Sequence, residues 1–342
     1  MAACGTFLIE SLGGTLAEIR ETALAAEAAG FDGLFFGENH FPEEGVPPAL
    51  QGAWGLTSAP LTLATAIAAC TTRIRVGTAV LALPLHHAVE VAKEAAAIDV
   101  LSNGRLVLGI GIGMEANGFR EYGVPWASRV SRLEEGIAVL RGCWREDAFH
   151  FAGKRYRIDA APILHPTRRE IPVWMGAKTE PGLRRAARLG LPILLDGAGP
   201  FEEVKDLVAV YRAACAAAGT RPYVAAMRDV CLGATAADAR RAYEEAVVAR
   251  VRLYWQVDYL NPRHDAWVKT IRSAEEIGWE RATRDRIIAG DPAACAEELR
   301  RWEREAGIDY FIIELLLPAG GRARALDDMR LFGRSVLPRL AG

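Results

Sequence analysis

The segment FFGENHF, residues 35–41, places a carboxylate, an amide and an imidazole in succession, Glu38, Asn39 and His40, directly after two apolar aromatics. An imidazole gains and loses a proton near neutral pH, whereas the amide of Asn39 can serve only as a hydrogen-bond donor or acceptor. His40 is therefore the leading candidate for proton transfer. Glu38 and Asn39 read either as its catalytic partners or as groups that satisfy loop amides, and the residues alone leave both readings open.

A second stretch suits an anionic ligand. In GAKTEPGLRRAARLG, Thr179 stands where an N-cap belongs and Pro181 fits the first turn. Free amides there, with Lys178 beside them, make either an anion site or simply a well-capped helix. The run GIGIG, residues 109–113, lacks GxGxxG spacing and no helix follows at once, so it is not a dinucleotide fingerprint. Its glycines read as places where a flat or bulky ligand approaches the backbone. His86 and His87 precede a helix, and their place at its N-terminus is sufficient explanation for them. Asp196, Met114, Glu115 and Asn117 complete the polar or flexible groups that follow apolar runs.

These residues must be positioned by an alternation that runs the length of the chain, short apolar runs followed by amphipathic segments of helical length. Strands are predicted over 5–9, 32–36, 74–83, 105–113, 172–176, 192–196, 225–233 and 309–316. The helices paired with them are near 15–29, 60–70, 87–101, 129–146, 180–189, 201–217, 236–250 and 323–337. Continuous apolar strands covered by helices imply a parallel sheet buried on both faces, and eight such units favour an α/β fold of the (β/α)8 TIM barrel type over an open doubly wound sheet. The whole chain, 1–342, reads as one domain. Two insertions interrupt it, 147–171 after strand 4, with a small hairpin, and 251–290 after helix 7. In such barrels chemistry sits at the C-terminal ends of the strands, where the candidates above fall.

Bulk properties narrow the partners. The 342 residues are 51% hydrophobic and 25% charged with a formal net charge of −2, which excludes a disordered chain and gives no basic patch for nucleic acid or an anionic membrane. A small molecule is the expected partner. The six cysteines are scattered singly without CxxC spacing, as reduced core thiols of a cytoplasmic protein would be, and no metal-ligand set is read. Neither a signal peptide nor a run of about 18 apolar residues is present, so a cytosolic protein is expected.

At the level of motif, residues 71–140 resemble the bacterial luciferase-like flavin oxidoreductase superfamily. TRIRVGTAV, IDVLSNGR and LGIGIG followed by FREYGV carry the resemblance in that order, supported by EAAGFDGLFFGENHF, PVWMGAKTEPGLRRAARLGLPI, GDPAACAEELRRWEREAGID and MRLFGRSVLPRL. The resemblance implies a (β/α)8 barrel, usually dimeric, that binds reduced FMN or the deazaflavin coenzyme F420. It also implies a non-prolyl cis peptide at the end of strand 3, here Ala79–Val80, beneath the flavin ring. His40 matches the motif histidine after strand 2; Asn39 stands where luciferases have another histidine and the deazaflavin enzymes often have aspartate. Among the coenzyme contacts Gly111, Ile112 and Gly113, Ile112 replaces an arginine that serves the flavin phosphate in luciferases. Lys178 is the replacement charge, with Thr179 and the backbone of Gly176 and Ala177 completing the cradle.

The leading expectation is a monooxygenase that uses reduced FMN and O2 to oxygenate a small organic substrate, the reduced flavin coming from a separate flavin reductase because no NADPH fingerprint is visible. Phe36, Phe41, Trp54 and Met114 would line an apolar site. The alternatives are an F420-dependent hydride-transfer oxidoreductase, which the missing arginine favours, and a non-catalytic flavin-binding or support subunit. A homodimer is expected.

Overall fold

A computed structural model describes residues 2–8, 14–38, 59–114, 116–146, 148–161, 165–167 and 170–341. Asn39, His40, Phe41, Trp54 and Glu115 lie outside the described residues. The strands are β1 (Ala3–Phe7), β2 (Gly33–Phe36), β3 (Arg75–Thr78), β4 (Leu81–Ala82), β5 (Leu106–Gly111), β6 (Phe149–Ala152), β7 (Arg157–Ala161), β8 (Val173–Gly176), β9 (Ile193–Leu195), β10 (Val224–Leu232), β11 (Ile288–Gly290) and β12 (Tyr310–Glu314). Every predicted strand is present, the third as two pieces, β3 and β4, parted at Ala79–Val80. The eight paired helices are present as well, so the strand and helix repeats are those of a (β/α)8 barrel.

The described chain divides into two compact units, each with its own run of strands. One holds β1 and everything from Ala177 onward. In it β9, β10, β12 and β1 are parallel neighbours, with Ala225 of β10 opposite both Leu194 and Tyr310, and Ala3 opposite Tyr310 from the other side. The second unit holds Leu34–Gly176, with β2, β3, β5 and β8 in that order and β4 on the upper part of β5.

Burial follows the apolar runs. β2 and β5 are buried at every residue, as strands covered on both faces must be. In the second unit Phe35 stacks on Trp174 with ring centroids 5.6 Å apart, and in the first Phe31 stacks on Phe332 at 5.4 Å. Helix ends follow local chemistry. Phe201–Ala218 begins after Pro200 with Glu202 and Glu203 in its first turn, and it stops at Gly219, whose φ of 68° lies in the left-handed region.

The segment IDVLSNGR has a structural role at the start of β5. Asn103 and Gly104 take positive φ and turn the chain out of helix Ala88–Leu101. Arg105 then donates to the carbonyls of Ala68, Thr71, Ile74 and Ser102 and to the hydroxyl of Thr71, tying three segments together with one guanidinium.

Both insertions have internal structure. The first contains the antiparallel hairpin β6–β7. The second begins with the last turns of a helix that runs on to Gln256, longer than its predicted end at 250, and closes with β11, a strand the alternation did not predict, parallel to β10. Helix Pro292–Arg301 was also absent from the predicted set. Its signal was readable, since the Asp291 carboxylate accepts from the amides of Ala293 and Ala294 and Pro292 opens the first turn.

Candidate active site

In the second unit the polar chemistry gathers where β2, β3 and β5 end. The Ala79–Val80 peptide is cis, the form the resemblance implies. Two hydrogen bonds hold it against the end of β2: the Ala79 amide donates to the Phe36 carbonyl at 2.8 Å, and the Glu38 amide donates to the Val80 carbonyl at 3.2 Å. Ala79 and Val80 are only half-buried, so the bend presents a small apolar surface.

Glu38 serves this bend through its side chain too. The carboxylate is buried, with one oxygen accepting from the Ala82 amide at 2.5 Å and the other 2.6 Å from Nε2 of His86. Glu38 thus satisfies a backbone amide, in strand β4 rather than in a loop, and its other oxygen meets an imidazole at the same time. His86 is more than a residue before a helix, because its ring reaches back across 48 residues of sequence to that carboxylate. Its carbonyl accepts from the Tyr156 hydroxyl at 3.3 Å and from Nη2 of Arg132 at 3.5 Å. His87 sits at the N-cap of helix Ala88–Leu101 without a side-chain cap bond, its ring edge-on to Tyr156.

The glycines of GIGIG have an explanation inside the chain. A Cβ at Gly109 would overlap the Thr78 carbonyl, and one at Gly111 would lie 2.6 Å from Cγ2 of Val80. Gly113 has φ +76°, and a Cβ there would lie 2.7 Å from the Phe119 ring. At Gly109 and Gly111 the absence of a side chain is already required by the close approach of β3 and of the Val80 side chain. A Cβ at Gly176, at the end of β8, would lie 3.2 Å from Cγ1 of Val80.

In the first unit a different cluster forms. Thr179 occupies the N-cap of helix Glu180–Arg188, yet its side chain makes no cap hydrogen bond there. Lys178 lies 3.7 Å from Oδ2 of Asp196 and 3.0 Å from the centroid of the Tyr259 ring, whose hydroxyl donates to the same carboxylate oxygen at 2.7 Å. Burial pulls the Lys178 ammonium below the usual lysine range, and Asp196 and Glu203 oppose that pull. Lys178, Asp196, Glu203, Tyr259 and Asn261 border a cavity of about 20 Å³. Tyr259 and Asn261 belong to the second insertion, and nothing in that segment's sequence marked them for this place.

The second charged cluster of this unit is Arg250 between two carboxylates, Asp229 of β10 and Glu314 of β12, at 3.0 and 2.5 Å. Burial drives Asp229 up to about 7, against the opposing pull of Arg250. Burial alone would lower Arg250, but Glu314 and Asp229 hold it well above its usual value. Neither carboxylate was singled out from the sequence, because both lie within apolar strands rather than after them.

The residues present fit a flavin-type coenzyme in kind. Within the second unit the half-buried Ala79–Val80 bend is a small apolar surface; within the first, Lys178 and the amides that open helix Glu180–Arg188 are donors suited to an anionic group. Among the described residues no group of His, Cys, Asp and Glu could hold a metal ion, and no helix is long and apolar enough to cross a membrane.

With this geometry in view, the class is clear: residues 5–310 match the luciferase-like monooxygenase family, and the chain belongs to that family. Its relatives divide by coenzyme. It is 27% identical over 336 residues to the F420-dependent glucose-6-phosphate dehydrogenase of Nakamurella multipartita, covering 94% of this chain and 92% of that one. It is also 27% identical over 325 residues to the 4-hydroxyprotoasukamycin monooxygenase of Streptomyces nodosus subsp. asukaensis, covering 92% and 84%. Among solved structures, the oxygenating constituent of 3,6-diketocamphane monooxygenase from Pseudomonas putida, in complex with FMN, superposes with a TM-score of 0.82 at 18% identity over 99% of both chains. The F420-dependent tetrahydromethanopterin reductase of Methanopyrus kandleri gives 0.77 at 18% identity, again over 99% of both. These two likenesses establish the fold, a (β/α)8 barrel.

Proposed function

We propose that the protein is a monooxygenase that takes reduced FMN and O2 and oxygenates a small organic substrate, the whole chain acting as one luciferase-like domain within a homodimer. The observation that carries this reading is the end of β3, where the Ala79–Val80 backbone, held by Phe36 and Glu38, lies beside a buried carboxylate–imidazole pair. Reduced FMN, when bound, supplies the electrons that activate O2. The chain's own contribution is then to position and to shelter. Ala79 and Val80 form an apolar support, Gly111 and Gly113 leave room for the Val80 and Phe119 side chains, and the apolar surroundings exclude water. Glu38 and His86 offer a proton donor and acceptor at a fixed place. Lys178, Thr179 and the backbone at Gly176 and Ala177 hold the phosphate, with Ile112 contributing no charge. His40 and Asn39 follow Glu38 directly in the chain and remain part of the proposed catalytic set. A separate flavin reductase supplies the reduced coenzyme.

A second reading, an F420-dependent hydride-transfer oxidoreductase, is favoured by two specific observations: the chain has Ile112 where luciferases have the phosphate arginine, and F420-dependent relatives cover 94% of it. The two readings separate in anaerobic titrations of the pure protein with reduced FMN and with reduced F420, followed by tryptophan fluorescence, with oxygen admitted afterwards. Saturable binding of reduced FMN and incorporation of label from ¹⁸O₂ into an organic product support the monooxygenase. Binding of F420 alone overturns it in favour of hydride transfer, and binding of neither favours a support subunit.

A further inference from the structure

The sequence pointed to His40 for proton transfer, but a differently placed histidine has the geometry of a base. The Glu38 carboxylate, with its side chain fully buried, lies 2.6 Å from Nε2 of His86. Its second oxygen is committed to the Ala82 amide and its own amide to Val80, so the carboxylate cannot swing away without breaking the end of β3. An anchored carboxylate accepts a hydrogen bond, which fixes the neutral ring as the tautomer with its proton on Nε2. Nδ1 is then left with its lone pair, and among the described residues it has no hydrogen-bond partner. The side chain keeps 27% of its surface exposed. Tyr156 and Arg132 hold the His86 carbonyl, so the residue is pinned at both backbone and ring while one nitrogen stays open. A base oriented by a carboxylate behind it, with its other nitrogen free, is the arrangement that accepts protons in many unrelated enzymes.

We propose that His86, oriented by Glu38, is the general base of this site, and that the substrate class it serves carries an acidic hydroxyl, such as a phenol or an enol. In the step, Nδ1 takes the hydroxyl proton, the substrate oxygen keeps the O–H electron pair, and Glu38 stabilises the resulting imidazolium. The proton returns to water after product leaves. An electron-rich phenolate or enolate is a better acceptor of an electrophilic oxygen than its neutral parent, and forming it is what a base contributes to an oxygenation. The proposal rests on the monooxygenase reading for its chemistry and on the Glu38–His86 geometry for its placement.

The test has two arms that fail separately. In the first, ¹⁵N NMR of the coenzyme-free protein reads the tautomer of His86, assigned with His86→Gln. The expected result is that the neutral form of the ring carries its proton on Nε2, with that preference lost in Glu38→Gln, which keeps an acceptor for the Ala82 amide; Glu38→Ala is the harsher control. A ring protonated on Nδ1, or one indifferent to Glu38→Gln, overturns the proposal whatever the coenzyme. In the second arm, reduced FMN and O2 are supplied with phenols and with their O-methyl ethers. Hydroxylated compounds alone should be turned over, kcat should fall roughly a hundredfold in His86→Gln with KM little changed, and added imidazole should restore His86→Gly. Equal turnover of the ethers, or an unchanged kcat, overturns the role. Absence of any FMN turnover counts against the monooxygenase reading, while the first arm still decides whether the base is built.

Discussion

Nη1 of Arg250 donates to Oδ1 of Asp229 at 3.0 Å, and the Asp229 side chain is only 2% exposed. The other end of the guanidinium meets Glu314, so one cation holds together two strands, β10 and β12, that are paired at this level through Asp229 and Glu314. Removing the cation leaves Glu314 without this counter-ion in a largely dry place, joined by Asp229 at the higher pH where that carboxyl ionises. Arg250→Met is therefore expected to destabilise the fold by about 3–5 kcal/mol, the usual cost of breaking a buried pair from one side. Urea denaturation followed by circular dichroism reads it. A loss under about 1 kcal/mol would mean that solvent already compensates these charges.

The same cluster predicts a pH dependence of known sign. Asp229 ionises at about 7 in the folded protein, raised first by burial and then by Glu314, against a reference of 3.8. The folded state therefore holds the proton more tightly than the unfolded state does, and stability attributable to this group is full below pH 3.8 and is lost as pH rises toward about 7. Asp229→Asn removes the dependence. Relative to the wild type, the variant should gain stability between pH 5 and pH 8, measured as the difference in urea midpoints at matched slope. A difference that stays flat across that interval would show Asp229 to be ionised throughout.

Gly111→Ala tests why the run GIGIG is glycine-rich. The new methyl would stand 2.6 Å from Cγ2 of Val80, in the bend proposed to support the coenzyme. Val80 or β5 must move, at a cost of roughly 1–3 kcal/mol for an overpacked position. The expected outcome is a lower unfolding midpoint together with weaker binding of reduced FMN, since Val80 is displaced. A variant as stable as the parent would indicate room that the backbone positions do not show.

Much of this architecture was legible beforehand because burial on both faces writes itself into a parallel strand as an uninterrupted apolar run. GLFF and LVLGIG are such runs, and their strands lie where the pattern placed them. The cis bend at Ala79–Val80 came from the resemblance, since nothing in the side chains of Ala and Val announces it. What stayed hidden were relationships between distant residues. No spacing rule links Glu38 to His86, Lys178 to Tyr259, or Arg250 to Asp229, because each pair joins a residue in or just after a strand to one on a distant loop or helix rather than following a helical or strand period. The short strand Ile288–Gly290 was hidden for a different reason: three residues inside a polar stretch are too few to show a period. His40 and Asn39 lie outside the described residues, so their assignment still rests on motif.

Lys178 offers the last prediction, because two demands on it conflict. As a phosphate ligand it should present its charge outward, yet its ammonium sits over the Tyr259 ring and 3.7 Å from Asp196, whose charge opposes the effect of burial on it. An incoming phosphate must share that cation with a carboxylate. Lys178→Gln should weaken FMN by roughly tenfold, about 1.4 kcal/mol, while leaving riboflavin, which lacks the phosphate, unaffected. Asp196→Asn should act in the opposite sense, strengthening FMN relative to riboflavin, because it removes a negative charge beside the phosphate without removing the hydrogen-bond acceptor for Tyr259. Isothermal titration of both ligands against the three proteins decides it. If FMN and riboflavin keep the same ratio of affinities in all three, Lys178 serves only the contact between the insertion and Asp196, and the phosphate is held by backbone amides at the start of helix Glu180–Arg188.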